Sequence, residues 1–331
     1  MGKILEDRQT ATTHRFEEMR GRLTAAEDRC AGKACVYATG SFGRGEASRF
    51  SDLDLFIVGN STNRNGQDER ALSRLDEICV KADLIQVTRE LKIPEFSGDG
   101  EYLEHYTTQE LVKSLGMPYD DSSNTFTARL LLLLESQPLV EASVYHTVTA
   151  DVISAYWRDY EGHRDEFMPA YLANDILRLW RTFCVNYEAR TKTEPAEKKA
   201  KRKLKNYKLK HSRLLTCYSA LLYLLAVYSS RNTVSPDDAD AMIRLTPMAR
   251  LMWLGQQDHL SKIRGTLSQL IDCYEQFLLQ TEAAEDALVE QFMDKNRSKK
   301  FMASASDLGD SVFELLGSIG GDTRFYRLLV V

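Results

Sequence analysis

Residues 34–58 hold a strand-like run, a glycine turn and a second apolar run that carries two acids, and this order leaves few folds open. Ala34 to Thr39 (ACVYAT) has the length and composition of a short buried strand. It runs into Gly40-Ser41-Phe42-Gly43-Arg44-Gly45-Glu46 and, after a short spacer, into Ser51-Asp52-Leu53-Asp54-Leu55-Phe56-Ile57-Val58. Residues two apart on a strand project from one face, so Asp52 and Asp54 share a face while Leu53 and Leu55 turn towards a core. Glycine at position 40 lets the backbone approach a bound group closely, and the residues after Ser41 are expected to open a helix.

Two carboxylates on one face are hard oxygen ligands suited to Mg²⁺ or Mn²⁺. A pair of such ions, roughly 3.5–4 Å apart, can hold both the attacking and the leaving oxygen of an in-line phosphoryl displacement. Gly40, the Ser41 hydroxyl and the N–H groups of a following helix start would take the oxygens of a triphosphate. Arg44 is a further phosphate candidate, or it pairs with Glu46 or another acid near the helix start.

The string GSFGRGEASRFSDLDLFIV resembles the signature of the DNA polymerase β-like nucleotidyltransferase superfamily. Its Gly-Ser-x-x-Arg-Gly-Glu and Ser-Asp-x-Asp-Leu elements are similar to those of small bacterial nucleotidyltransferases and of nitrogen-signalling uridylyltransferases. The resemblance covers residues 34–58. It implies an α+β chain: a small mixed sheet with helices on one side, two strand carboxylates that bind Mg²⁺ or Mn²⁺ as two ions, an NTP substrate, and a third carboxylate from a later strand of the sheet. Asp83 is the candidate for that third acid. Ala71, Leu72, Leu75, Ile78 and Cys79 fall at helical spacing over 67–81, and Ala82 to Val87 then alternates like a strand. Asp99, Asp120 and Asp121 lie in less regular sequence.

Periodicity changes near residues 120–127, which predicts a boundary there and an α-helical domain over 126–331; the resemblance implies that 1–125 is the nucleotidyltransferase domain. Helices are expected over 13–30, 127–137, 144–160, 169–190, 207–231, 236–253 and 256–296, with a mixed tail beyond. The resemblance implies that the helical domain completes a nucleotide and acceptor cleft. Over 169–190 the stripe of Leu172, Ile176, Leu179, Trp180, Phe183 and Tyr187 favours packing over base stacking by an aromatic.

In Lys198 to Arg213 (KKAKRKLKNYKLKHSR) nine of sixteen residues are Lys or Arg and none is acidic, in a chain whose net charge is −5. The first part reads as a solvated loop, a nucleic-acid contact or a phosphate clamp. From Asn206 the run becomes a helix, with Lys208 and Ser212 four apart on one face. In related nucleotidyltransferases a helical Lys and Ser hold the β- and γ-phosphates, and the resemblance assigns that part to this pair. Three acceptors are open: the hydroxyl of an RNA or tRNA, that of a second nucleotide, as in bacterial cyclic-oligonucleotide synthases of antiviral defence, or a protein side chain. A nucleotide-sensing module without catalysis is the alternative from another class.

The 331 residues and 43% hydrophobic content suit two domains with sizeable cores. Six cysteines without a CxxC pair are expected to be reduced and mostly buried. The opening MGKILEDRQT lacks an apolar signal core, and Glu6 stands where myristoylation wants Ser or Thr, so a cytoplasmic location is expected. The apolar run Leu214 to Tyr228 is shorter than the roughly 18–20 residues a spanning helix needs and is expected to be a buried helix.

Overall fold

Helices on both faces of a four-stranded sheet make up the first half of the chain. The computed structural model describes residues 2–64, 67–94, 96, 103–188 and 195–331. The chain forms two compact units, one of Glu6–Arg158 and one of Asp159–Val331 with the residues up to Leu5.

The first unit runs α1 (Lys3–Arg22), α2 (Thr24–Cys30), β1 (Ala34–Thr39), the single turn α3 (Gly40–Gly43), β2 (Asp54–Gly59), the hairpin β3 (Ser61–Arg64) and β4 (Gln67–Arg70), and α4 (Arg74–Glu90). It continues with β5 (His105–Thr107), α5 (Thr108–Lys113), α6 (Thr125–Glu135), β6 (Gln137–Val140) and α7 (Ala142–Tyr156). The sheet order is β5-β2-β1-β6, with β1 antiparallel to β2 and β6, and β2 parallel to β5.

β1 is buried along its whole length because both of its faces are covered. Val36, Ala38, Leu55 and Ile57 join Phe16 and Met19 of α1, Leu23 between α1 and α2, and Val80, Leu84 and Val87 of α4 in one core. On the opposite face the Tyr37 ring stacks on Phe56 at 5.5 Å and meets Tyr145 of α7 at 6.1 Å, and its hydroxyl donates to the Ala128 carbonyl of α6. A sheet covered twice buries continuous apolar strands. The boundary expected at 125/126 therefore moves to 158/159: α6 and α7 cover the sheet and β6 pairs with β1, so they belong with the first unit.

The second correction is α4. A helix was expected over 67–81 and a strand over 82–87. The chain instead makes β4 over Gln67–Arg70, caps a new helix with Ser73, whose hydroxyl accepts from the Asp76 N–H, and stays helical to Glu90. Glu77, Val80, Leu84 and Val87 are the buried positions, a spacing of three to four that a strand cannot satisfy. Asp83 thus lies on a helix and binds Arg29 at 2.5 Å.

The second unit comprises α8 (Ala170–Glu188), α9 (Ala196–Lys208), α10 (Leu214–Arg231), α11 (Pro236–Ile243), α12 (Pro247–Gln256), α13 (Arg264–Gln280), α14 (Glu285–Met293), α15 (Lys295–Gly320) and α16 (Arg324–Val330). The basic run is helical from Ala196, not from Asn206, because Ala200, Leu204 and Tyr207 bury one side of α9. A π-turn over Leu209–Arg213 joins it to α10. The joined helix Ala196–Arg231 is long and apolar enough to cross a membrane, and 78% of its apolar window is buried within the protein. The expected mixed tail is the 26-residue α15, whose buried Ala305, Leu308, Val312, Leu315 and Ile319 keep helical spacing. All six cysteines are free thiols, with Cys30, Cys35 and Cys217 buried.

Candidate active site

β1 and β2 end the site side by side: Thr39, the last residue of β1, is the cross-strand partner of Asp54, the first of β2. Asp52 lies two residues earlier, and both acids are half-buried, while Leu53 and Leu55 are 1% exposed. Burial alternates as the sequence predicts, with the leucines in the core and the acids half-buried, and β2 begins at Asp54.

Gly40 follows Thr39 with φ +64°, a backbone conformation that costs an L side chain about 1–2 kcal/mol. A Cβ at this position would stand 2.5 Å from Asp54 Oδ2, so the absence of a side chain is what lets the carboxylate lie against the turn. Ser41 is half-buried, and its hydroxyl makes no hydrogen bond with any described residue. Thr39 is 1% exposed, and its hydroxyl likewise has no hydrogen-bond partner among the described residues. An orphaned hydroxyl beside Asp54 is an unmet demand for a polar group at this end of the sheet.

The glycine turn is fixed from behind by Glu135, the last residue of α6. Its Oε1 accepts from the Gly40 N–H at 3.1 Å and its Oε2 from Arg44 Nη1 at 2.9 Å. Arg44 Nε donates to Glu46 Oε1 at 2.5 Å. The backbone winds tightly around this group, with the Arg44 N–H on the Gly40 carbonyl and the Glu46 N–H on the Ser41 carbonyl. A Cβ on Gly43 would collide with the Glu135 carbonyl at 1.9 Å, so α6 approaches the turn as closely as backbone allows.

Residues 23–111 match the family described as the nucleotidyltransferase domain. This chain carries a nucleotidyltransferase domain of the polymerase β-like superfamily. Comparison with curated proteins gives no match.

Within the nucleotidyltransferase domain the structure places Asp54 against the Gly40-Ser41 turn, and Asp52 lies two residues before β2 begins. The structure separates Asp83, whose carboxylate is spent on Arg29 on the helical layer over the other face. Of the two readings of Arg44, the structure has the pairing with Glu46: its side chain is 8% exposed and lies between Glu46 and Glu135, so it shapes the turn and does not reach outwards to phosphate. The helix expected after Ser41 is one turn, ended at Gly43. Asp120 is also structural, buried under the Arg129 guanidinium at 2.5 Å, which with Thr125 outweighs the effect of burial and holds its carboxyl below the usual range. Asp99 lies outside the described residues. Lys208 is exposed at the end of α9 and Ser212 half-buried in the π-turn, both in the helical unit. Trp180 packs edge-on to Tyr218 at 6.1 Å, and the Tyr187 side chain lies outside the described residues.

Two acids escaped the sequence reading. Glu135 closes the run LLLLLE, and an acid ending an otherwise apolar helix was its only signal. Glu104 precedes β5, and the parallel register pairing Val58 with Tyr106 places it beside Phe56, on the same sheet face as Asp54. Its Oε2 accepts from the Tyr106 hydroxyl at 2.7 Å. Among the described residues no three His, Cys, Asp or Glu side chains are gathered closely enough to hold a metal ion. The donors present fit an ion of the Mg²⁺ type, which is held by one or two carboxylates and takes its remaining ligands from water and substrate phosphates.

Proposed function

We propose that this nucleotidyltransferase domain moves a nucleoside monophosphate from an NTP to a hydroxyl of an RNA or nucleotide acceptor, releasing pyrophosphate. The observation that carries the reading is Asp54 lying against Gly40, with Asp52 two residues before it and the orphaned Thr39 hydroxyl across the strand pair. In this reading Asp52 and Asp54 hold Mg²⁺ or Mn²⁺, which when bound neutralises triphosphate charge and lowers the pKa of an attacking hydroxyl. Glu104, turned from Tyr106, replaces Asp83 as the third acid. Ser41 donates its hydroxyl to a phosphate oxygen, and Glu135 holds the Gly40 backbone so that Asp54 keeps its place. The domain's own contribution is chiefly positioning and electrostatics. Lys208 and Ser212 are proposed phosphate ligands, and the basic face of α9 is the proposed contact for an RNA acceptor.

The test incubates the full chain with each labelled NTP and Mg²⁺ or Mn²⁺, with and without RNA, and separates the products. Label in RNA or in a short oligonucleotide supports the reading and selects the acceptor. Label in protein alone, or activity unchanged in Asp52→Ala/Asp54→Ala, overturns it.

A further inference from the structure

A cavity of about 480 Å³ opens in the helical unit between α8 and α16. Asn174, Leu177 and Arg181 line it from one face of α8, and Arg324, Arg327 and Leu328 from one face of α16. Leu177 is buried and Leu328 half-buried, so the floor is apolar, while the three arginines are exposed at its rim.

The rim is electrostatically unbalanced. No acidic side chain lines the cavity, although the chain has 48 Asp and Glu and a net charge of −5. Three other arginines of this unit are paired: Arg178 with Asp175 at 3.6 Å, Arg231 with Asp238 at 2.5 Å and Arg244 with Asp240 at 2.7 Å. The guanidinium groups of Arg181, Arg324 and Arg327 make no hydrogen bond or ion pair with any described residue, and neither does the Asn174 amide. Val331 lines the cavity too, but three exposed guanidinium groups on one rim outnumber its single carboxylate and attract an anion.

The chemistry of the lining narrows the ligand. Guanidinium forks match phosphate oxygens in geometry as well as charge. An apolar floor between them accepts a flat, weakly polar body. The side-chain amide offers a donor and an acceptor on one edge, the complement of a base edge. The volume is that of a small-molecule site. We propose that this cleft binds a nucleotide, with its phosphates on Arg181, Arg324 and Arg327, its base over Leu177 and Leu328, and Asn174 at the base edge. The site uses none of the residues assigned to transfer and does not depend on that assignment.

Equilibrium dialysis of the full chain against labelled ATP in EDTA tests it, together with photo-crosslinking by 8-azido-ATP and peptide mapping. ATP should bind, Arg324→Glu/Arg327→Glu should weaken it at least tenfold, and inorganic triphosphate should compete less well than ATP. The crosslink should map to 168–181 or 324–331 of the wild-type chain, a readout that holds even if the double variant does not fold. No ATP binding, equal binding by the folded variant, equal competition by triphosphate, or a crosslink confined to 34–58 would each overturn the proposal.

Discussion

Gly40 bears the sharpest demand of any single residue in the candidate site. Alanine there meets an unfavourable φ of +64° and places a Cβ 2.5 Å from Asp54 Oδ2, so the strain of about 1–2 kcal/mol is accompanied by displacement of the carboxylate. Gly40→Ala should lower nucleotidyl transfer at least tenfold while thermal unfolding shifts by only a few degrees; equal activity in the two proteins would show that Asp54 need not lie against the turn. Two buried titratable groups set the acid limit of the fold. Burial alone would raise Glu77, but hydrogen bonds and charge from Lys81 and His105 outweigh it and hold the carboxyl at about 2. Burial pushes His211 down to about 4, its ring stacked 4.5 Å from Phe277 and its Nδ1 at 2.9 Å from the Tyr207 carbonyl. In both cases the unfolded chain takes up the proton first. Stability should therefore fall as pH drops from about 6.5 to 4 through His211 and from about 4.5 to 2 through Glu77, each by about 3 kcal/mol. Urea titrations across that range check the sign: His211→Phe should flatten the upper limb and Glu77→Gln the lower, and unchanged slopes would contradict the assignment.

At the scale of elements, what the sequence made legible was what a short period determines alone. The strands β1 and β2 and the burial of Leu53 and Leu55 beside half-buried Asp52 and Asp54 follow from alternation over a few residues. The error at α4 arose because six residues, Ala82 to Val87, fit either period, and only the burial of Glu77 and Val80 a turn earlier decides for the helix. Glu135 was not readable because its partners, Gly40 and Arg44, lie more than ninety residues away. Glu104 was hidden by the three-residue length of β5, too short to show alternation. The tail was left without an element because Ala303 to Asp310 is small and polar, and the buried side of α15 is defined only by packing. That packing gives a testable contrast inside α15. A Cβ on Gly320 would come within 2.5–2.8 Å of three Leu225 carbons of α10, whereas a Cβ on Gly309 meets nothing within 4 Å. Gly320→Ala should cost about 1–3 kcal/mol by overpacking, and Gly309→Ala should stabilise by up to about 1 kcal/mol through helix propensity. Thermal denaturation of the two variants reads the difference, and a shift of the same sign in both would count against close α10–α15 contact.

For the whole molecule, charge and chemistry are divided between the two units. The sheet unit holds the acids proposed to bind a divalent ion, and the helical unit carries the basic run of α9 and the arginine-rimmed cleft of α8 and α16. The net charge of −5 gives no sign of this division, because the nine Lys and Arg of residues 198–213 are outweighed elsewhere in the chain. The central claim is that Asp54, held against Gly40, acts in nucleotidyl transfer. Pyrophosphate release from NTP with acceptor present, compared between wild type and Asp54→Asn, tests it most directly. The substitution keeps size and removes the charge, and its effect should be ~100-fold or more, the scale of losing one electrostatic stabiliser. Pyrophosphate release by the wild type that falls by that factor in a folded Asp54→Asn variant is the result predicted; equal rates in the two proteins, or no release by the wild type with any NTP and acceptor, would contradict it.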